Sequence, residues 1–357
     1  MAQIDALLKV MKDKKGSDLH LSPANPPLVR VSGELMAVGD TPLTVEDTHN
    51  LIYEIMTDAQ RAAYEKTNDL DFGYPCPSLE ARFRSNVFRG RLGISAVFRI
   101  IPTQIKTLKE LGLPETITRF TELSKGLVLV TGGTGSGKST TLAAMVDHIN
   151  STQQSHILTI EDPIEFVYPG RKSLINQREV GAHTDSFASA LKAALREDPD
   201  VILVGEMRDL ETIELAITAA ETGHLVFGTL HTSSAAKTVD RVLNVFPSGQ
   251  QAQIRTMLSE SLKGVVAQNL LRTVEGGRVA ALEIMVGTPA LSNLIREGKT
   301  FQVPSIIQTG KKEGMISMEQ SVRNLIAANK ITLAEARPYL PEGQNLPTAM
   351  EMAANGH

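Results

Sequence analysis

The sequence predicts an α/β protein of two domains, the second of which is built on a mainly parallel sheet flanked by helices. The chain has 357 residues, which is long for one domain, and its 42% hydrophobic content is ample for two buried cores. A glycine-rich loop directly follows an apolar run, and further apolar runs alternate with helical patterns after it. This alternation indicates crossover helices between parallel strands.

The N-terminal part, residues 1–100, is expected to form a small α/β domain. A helix is predicted over residues 4–12 and another directly after Thr44. Strand-like runs lie over residues 28–31 and 82–99.

Four apolar runs mark the strands of the second domain, whose core is expected over residues 119–285. They are residues 127–130, 157–160, 201–204 and 225–227. Open parallel sheets place their ligands at the carboxyl edge, so the residues directly after these runs are candidates for a functional site.

The segments on either side of this core lack the strand pattern. Residues 101–118 carry Pro102, Gly112 and Pro114 and are expected to form an ordered linker that starts with a break at Pro102. Residues 286–340 are expected to form a helical subdomain, in which Thr332 and Glu335 fit a capping box that opens a late helix. The last residues, 341–357, are expected to be a frayed tail.

The most specific motif is the segment of residues 132–140, which fits G-x-x-x-x-G-K-[ST]. Glycines let successive backbone N–H groups turn inward around phosphates. Lys138 supplies a mobile cation and Ser139 a hydroxyl for Mg²⁺, while a helix that starts at Lys138 directs its positive dipole end at the phosphates. The predicted nucleotide-binding residues are Gly133, Thr134, Gly135, Ser136, Gly137, Lys138, Ser139 and Thr140. The alternative is an ordinary Gly/Ser loop.

Glu206 follows the third apolar run and is the candidate for the residue that orients and polarises the attacking water. The alternative is a surface glutamate paired with Arg208. Gly205 stands where a metal-holding aspartate is common, so Mg²⁺ is expected to rest on Ser139, phosphate oxygens and water.

An acidic segment follows the second apolar run. Glu161, Asp162 and Glu165 are candidates to surround the water ligands of Mg²⁺, and Glu161 is counted among the catalytic residues. The alternative is an acidic turn that caps the next segment.

Two histidines flank the fourth apolar run. His231 follows its carboxyl end and is the candidate for sensing the γ-phosphate. His224 precedes the run, after a glycine that should end the preceding helix, and is weighed evenly between a functional and a structural role.

Arginines of the first domain form a second basic feature. The period-two alternation of a strand puts Arg82 and Arg84 on one face and Phe83 on the other, and Arg99 follows. Arg82 and Arg84 are candidates for arginine fingers that reach a nucleotide, including one held by a neighbouring subunit. A solvated charged strand is the alternative.

Composition excludes several classes of protein. A net charge of −4 argues against a protein that coats nucleic acid, so direct nucleic-acid binding is not expected. A single cysteine, Cys76, excludes a disulfide framework and a zinc ribbon and is expected to be inert. The sequence shows neither a signal-peptide core nor an apolar run long enough to cross a bilayer, which predicts a cytoplasmic protein.

Four segments together resemble the secretion and pilus-assembly ATPases, and the resemblance runs nearly end to end. Residues 132–140, 159–165, 200–209 and 222–232 are similar to the Walker A, Asp, Walker B and His boxes of that family. Residues 16–21 resemble the start of its N-terminal PAS-like domain. Residues 290–297 resemble a C-terminal helix motif linked to pilus retraction, from which the chain departs at two positions, Leu291 and Ser292. Gly133 replaces a proline that is commoner in the phosphate loop.

The resemblance implies a PAS-like domain followed by a RecA-like P-loop ATPase core with a C-terminal helical subdomain. It implies ATP and Mg²⁺ as ligands and a homohexamer that powers type IV pilus retraction and twitching motility. The implied partners are an inner-membrane platform protein of the pilus and other pilus motor ATPases, at the cytoplasmic base of the pilus machine.

Four other functions are alternatives to this one. A pilus extension motor is disfavoured because that branch usually carries a longer N-terminal region and a tetracysteine metal site. An accessory retraction ATPase stays open. A nucleotide-gated scaffold without turnover is disfavoured by intact Lys138, Ser139 and Glu206. A nucleic-acid translocase is disfavoured by the acidic net charge.

Overall fold

The structure, a computed structural model, describes residues 2–31, 33–101 and 104–340. The described residues up to Gln104 form one compact unit together with Pro163–Val167, and those from Ile105 onward form a second unit without that segment. The predicted break at Pro102 and the predicted tail at residues 341–357 lie outside the described residues.

The described residues of the first unit form a six-stranded antiparallel sheet and three α-helices, as the sequence predicts for an α/β domain. The strand order is β3-β2-β1-β6-β5-β4. The elements are α1 (Gln3–Asp13), β1 (Asp18–Leu21), β2 (Leu28–Val31), β3 (Glu34–Ala37), α2 (Val45–Tyr53), α3 (Asp58–Thr67), β4 (Asp69–Cys76), β5 (Ala81–Gly90) and β6 (Gly93–Ile101).

Local sequence signals explain these elements. Helix α2 begins after Thr44, whose side chain accepts the N–H of Asp47 while the Asp47 carboxylate accepts the N–H of Thr44. In β5 the Phe83 side chain is fully buried, whereas Arg82 and Arg84 lie on the opposite face, which confirms the predicted alternation. Cys76 is buried, and burial raises the pKa of its thiol, which fits an inert residue.

The second unit contains a seven-stranded, mainly parallel sheet with helices around it. The strand order is β13-β12-β7-β11-β10-β8-β9, and β13 alone among these strands pairs antiparallel, with β12. The elements are α4 (Glu115–Thr121), β7 (Gly126–Thr131), α5 (Lys138–Thr152), β8 (His156–Glu161), β9 (Leu174–Glu179), α6 (Phe187–Ala194), β10 (Val201–Val204), α7 (Leu210–Glu221), β11 (Leu225–Leu230), α8 (Ala235–Asn244), α9 (Gln251–Ser261), β12 (Leu262–Arg272), β13 (Arg278–Val286), α10 (Pro289–Arg296), α11 (Val303–Thr309), α12 (Met318–Ala327) and α13 (Leu333–Ala336).

The four predicted parallel strands are confirmed as β7, β8, β10 and β11, and they lie side by side at the centre of this sheet. All four are almost fully buried, because helices cover both faces of a parallel sheet. Their carboxyl ends therefore meet at one edge, where the phosphate loop also begins.

The predicted helical C-terminal part is present as α10 to α13, but the capping box predicted at the start of α13 forms only in part. Thr332 accepts the N–H of Glu335 as an N-cap, and α13 ends four residues after Thr332. The Glu335 carboxylate accepts the backbone N–H of Arg272 at 3.0 Å, so it ties α13 to β12. Within the described residues, none of the helices combines the length and the apolar character that crossing a membrane requires.

Candidate active site

The phosphate loop joins β7 to α5, and its glycines adopt backbone conformations that other residues avoid. Gly132, Gly135 and Gly137 have φ angles of +145°, +77° and +89°. A Cβ on Gly132 would collide with the carbonyl oxygen of Gln268 and the side chain of Ser136. Gly133 has open space around it, so an added side chain would meet no neighbouring atom at this position. The helix predicted from Lys138 onward is confirmed, and its N-terminus faces the loop.

Lys138 folds back over this loop. Its Nζ donates hydrogen bonds to the carbonyl oxygens of Gly132 at 2.9 Å and Gly133 at 3.0 Å. Ser139 and Thr140 are half-buried in the first turn of α5. An ammonium group, the first N–H groups of a helix and two hydroxyls thus gather at one place, which is the chemistry that binds phosphate.

Gln268 of strand β12 forms hydrogen bonds to the loop and to the start of α5, and the sequence analysis did not identify it. Its side-chain Nε2 donates to the carbonyl oxygen of Ser136 at 2.8 Å, and its Oε1 accepts from the Thr141 hydroxyl at 2.8 Å. The side chain is 2% exposed, so both polar ends are satisfied inside the protein. A glutamine that follows the apolar run of residues 264–267 is the signal that could have revealed it.

The segment after β10 presents Glu206 and Arg208 on the same side. Met207 is buried between them, and its N–H donates to the Thr229 carbonyl at 3.0 Å, which anchors the segment to β11. A Cβ on Gly205 would lie only 3.1 Å from the Ile160 carbonyl oxygen. An aspartate at position 205 would therefore be crowded against the backbone of β8.

Glu206 is held by two donors at one carboxylate oxygen. Its Oε1 lies 2.6 Å from Nε of Arg208 and 3.0 Å from Nε2 of His231. Partial burial by itself would raise the pKa of Glu206, but the hydrogen bond and charge of Arg208 and the contact with His231 lower it below its ordinary value. The carboxylate is therefore ionised at neutral pH. The Glu206–Arg208 pair that the sequence offered as an alternative does form, and His231 joins it.

His231 lies between the phosphate loop and Glu206. It follows β11, which has β7 on one side and β10 on the other, and the last β11 residue, Leu230, pairs with Thr131 at the end of β7. His224 lies at the opposite end of β11, where its ring Nδ1 is 2.9 Å from the Ala219 carbonyl oxygen at the end of α7. The structure therefore brings His231 to this edge of the sheet and keeps His224 away from it.

The acidic segment after β8 divides between two environments. Glu161 is buried at the end of β8, and its Oε1 accepts from the Thr159 hydroxyl at 2.7 Å and from Gln177 Nε2 at 3.2 Å. Asp162 is exposed and attracts the guanidinium of Arg208. Glu165 belongs to the segment Pro163–Val167, which groups with the first unit.

The residues at this edge fit a magnesium ion that is held mainly by substrate and water. The described residues contain no group of three or more His, Cys, Asp or Glu side chains that could hold a metal by themselves. Mg²⁺ is usually bound through one or two protein oxygens together with phosphates and water. The Ser139 hydroxyl beside the loop meets that requirement. The Glu161 and Asp162 carboxylates lie farther along the same edge, at the end of β8, which β11 and β10 separate from β7.

A cavity of about 890 Å³ opens beside the start of α5. Gly137, Thr140 and Thr141 of the loop and helix form one wall, and residues 106–113 and 328–330 contribute to the others. Its lining mixes aliphatic side chains such as Leu113 with polar and charged ones. Its volume lies in the range of known small-molecule sites.

Arg84 of β5 and Arg99 of β6 lie on one face of the sheet of the first unit. Arg99 is directly opposite Arg84 in the β5–β6 pairing, and its Nε is 2.7 Å from the buried Asp18 carboxylate. The Nε of Arg84 is 4.0 Å from Asp71. Within the first unit, these residues therefore form a polar row across four strands.

Comparison with known proteins gives consistent matches over nearly the whole chain. Residues 2–337 match the family model described as Type II/IV secretion system protein. The chain is 55% identical over 334 residues to the type IV pilus retractation ATPase PilT of Pseudomonas aeruginosa, covering 94% of this chain and 97% of that protein. It is 37% identical to the type IV pilus ATPase PilU of the same organism, covering 96% and 90%. A crystal structure of the pilus retraction motor PilT with bound ADP superposes with a TM-score of 0.89 at 46% identity, covering 97% of this chain and 99% of that one.

Proposed function

The chain belongs to the Type II/IV secretion system protein family and is a P-loop ATPase, and we propose that it is the motor that powers type IV pilus retraction. The observation that carries this proposal is the near full-length similarity to the retraction ATPase PilT at 55% identity. The type IV pilus ATPase PilU shares 37%, so the retraction motor is favoured over an accessory pilus ATPase.

In this proposal the phosphate loop binds the triphosphate of ATP. Backbone N–H groups of residues 133–137 and the start of α5 surround the phosphates, and Lys138 exchanges its bonds to Gly132 and Gly133 for phosphate oxygens. The base and sugar occupy the cavity beside Thr140 and Thr141. Mg²⁺, held by Ser139, phosphates and water, would neutralise charge on the transferred phosphoryl group.

Glu206 accepts a hydrogen bond from the attacking water and orients it for displacement at the γ-phosphate. Its low pKa keeps the carboxylate available as an acceptor at neutral pH. His231, which touches Glu206 and lies next to the phosphate-loop strand, links the state of the γ-phosphate to the position of Glu206. Glu161 and Asp162 order the surrounding water.

Arg82 and Arg84 of the first unit act as arginine fingers on the nucleotide in this proposal. Their shared face on β5 suits two guanidinium groups that bind neighbouring phosphate oxygens. Arg99 and Glu165 are supporting residues. His224 has a structural role at the end of α7.

The working assembly in this proposal is a homohexamer at the cytoplasmic base of the pilus machine. Its partners are an inner-membrane platform protein and the other pilus motor ATPases. The structure of the related motor PilT contains ADP, which fits the same substrate class.

Deletion of the gene tests the proposal. Cells without this chain should carry more and longer pili and fail to spread by twitching, and the wild-type chain should restore both properties. The Lys138→Ala chain should restore neither. Normal twitching in the deletion strain would contradict the proposal.

A further inference from the structure

We propose that Arg208 is a positioning residue for ATP hydrolysis, which together with His231 fixes Glu206 by one oxygen and leaves the other for the attacking water. The proposal rests on the role of Glu206 given above. Arg208 itself does not touch the substrate in this account. It acts only through the carboxylate that it holds.

The geometry that carries the proposal is the asymmetry of the Glu206 contacts. Arg208 Nε at 2.6 Å and His231 Nε2 at 3.0 Å both bind Oε1. A carboxylate has two oxygens that each accept hydrogen bonds, so Oε2 retains its acceptor capacity. Because the two donors come from different segments, one after β10 and one after β11, they fix the rotation of the carboxylate as well as its position.

The backbone around Arg208 is constrained on both sides. Met207 is buried, and its N–H is hydrogen-bonded to the Thr229 carbonyl. Because successive side chains of an extended segment point to opposite sides, Glu206 and Arg208 both point away from the side on which Met207 is buried. Asp209, the next residue, caps α7 by accepting the N–H of Thr212 at 2.9 Å and its hydroxyl at 2.7 Å. Arg208 thus projects from a fixed backbone between a buried anchor and a helix cap.

Asp162 adds a second carboxylate to the surroundings of Arg208. Glu206 contributes most to the raised pKa of the guanidinium, and Asp162 contributes as well. The guanidinium is therefore attracted by carboxylates at the ends of both β8 and β10. This places a fixed positive charge where two carboxylates would otherwise repel each other.

The contact between Arg208 and Glu206 is not expected to contribute much to stability. The Arg208 side chain is 77% exposed, and pairs of that kind contribute little to stability. The Glu206 side chain, by contrast, is only 20% exposed, and its contacts set its charge and orientation. The contribution of Arg208 is therefore expected in turnover and not in folding.

Steady-state ATP hydrolysis by the purified full-length chain tests the proposal. Arg208→Ala should lower kcat by about 10- to 100-fold, as expected for a misplaced catalytic group, and change KM for ATP by less than about twofold. Arg208→Lys should recover part of the loss, because it keeps the charge but not the Nε donor. In the Glu206→Gln background, Arg208→Ala should cause little further loss, because both changes disable the same group.

Arg171→Ala is the matched control. Like Arg208, Arg171 pairs with a carboxylate of the second unit, since its Nη1 lies 3.4 Å from the buried Asp147. It precedes β9 and therefore lies at the edge of the sheet opposite the phosphate loop. This variant should lower the melting temperature with little change in kcat. Thermal melting and gel filtration of each Arg208 variant check that folding and assembly are intact, and Arg208→Gln serves if the alanine variant fails this check.

The outcomes separate this inference from the proposed function. If Glu206→Gln is inactive while Arg208→Ala turns over at the wild-type rate, Arg208 forms only a surface ion pair and the inference is wrong. A rate above wild type would mean that Arg208 restrains Glu206, which also overturns it. If Glu206→Gln hydrolyses ATP normally, the proposed role of Glu206 is wrong, and the inference about Arg208 is wrong with it.

Discussion

Gln268 accepts a 2.8 Å hydrogen bond from the hydroxyl of Thr141, which links strand β12 to the helix that follows the phosphate loop. The same side chain donates to the Ser136 carbonyl inside the loop. One buried amide therefore sets the spacing between the loop and the start of α5.

Replacing Gln268 by leucine should weaken nucleotide binding. The change leaves the Ser136 carbonyl and the Thr141 hydroxyl without a buried partner, at a cost of about 1–3 kcal/mol that the loop avoids by moving. KM for ATP should rise by about tenfold, with a smaller fall in kcat. Thr141→Val should give a similar effect, and the double variant should show less than the sum of both changes. Additive effects would show that the two residues act independently.

Lys138→Ala should abolish ATP hydrolysis, with a loss of at least about 100-fold. The substitution removes the cation that bridges the loop carbonyls and binds the phosphates. Lys237→Ala is the control, since Lys237 is an exposed lysine on α8 whose Nζ reaches Ser233 Oγ at 3.4 Å. Binding of a fluorescent ATP analogue, measured beside hydrolysis, separates the two roles of Lys138. Unchanged turnover in Lys138→Ala would remove the phosphate loop from the reaction.

Arg82→Ala and Arg84→Ala should each lower kcat, by up to the roughly 10³-fold or more that is typical of a lost arginine finger. Both side chains lie on the face of β5 opposite the buried Phe83, so the melting temperature should change little for Arg84→Ala. It should fall more for Arg82→Ala, because the Arg82 guanidinium packs against Gly73 of β4. Arg61→Ala, another arginine of the first unit that pairs with Asp58 at 3.2 Å, controls for a general loss of positive charge. Wild-type rates in both variants would show that these arginines are solvated surface side chains with no role in hydrolysis.

Asp18 should make the stability of the chain depend on pH in the acid range. Burial would raise the pKa of Asp18, but hydrogen bonds from Ser17 and Arg99 and the charge of Arg99 lower it. The unfolded carboxyl titrates at about pH 3.9, so the ionised pair stabilises the fold above that pH, and this contribution is lost as pH falls through the lowered folded pKa.

Thermal melting of wild type and Asp18→Asn between about pH 3 and pH 7 measures this contribution. Near neutral pH the free energy of unfolding of the wild type should exceed that of Asp18→Asn by about 1 kcal/mol, a value reduced for the exposure of Arg99. This difference should disappear in acid. A gap that is constant with pH would contradict the assignment. Arg99→Ala should show a similar loss of stability, and a large fall in its kcat would instead place Arg99 among the residues that act on nucleotide.

The sequence predicts the phosphate loop and its four central strands well because their signals are local. A glycine-rich loop fits few other structures, and buried parallel strands form short continuous apolar runs. Strand β12 was missed because it follows α9 directly, Leu262 after Ser261, with no turn residues to separate them. The hairpin between β12 and β13 was marked only by Gly276 and Gly277.

The contacts that tune the site depend on strand order, which a single sequence does not contain. Glu206 and His231 are far apart in the sequence but adjacent in space because β10 and β11 pair in parallel, and their Glu206–His231 contact follows from that register. Gln268 reaches the loop only because β12 pairs with β7. The pairing of Glu206 with Arg208, in contrast, follows from their spacing of two along an extended segment.

Time-lapse imaging of labelled surface pili tests the central claim most directly, in cells whose only copy of this chain carries Glu206→Gln. This variant should bind ATP but not hydrolyse it, so a retraction motor would leave pili that extend and never shorten. Cells without pili would mean that the chain drives extension, and pili that shorten at the wild-type rate would mean that its ATP hydrolysis is not needed for retraction.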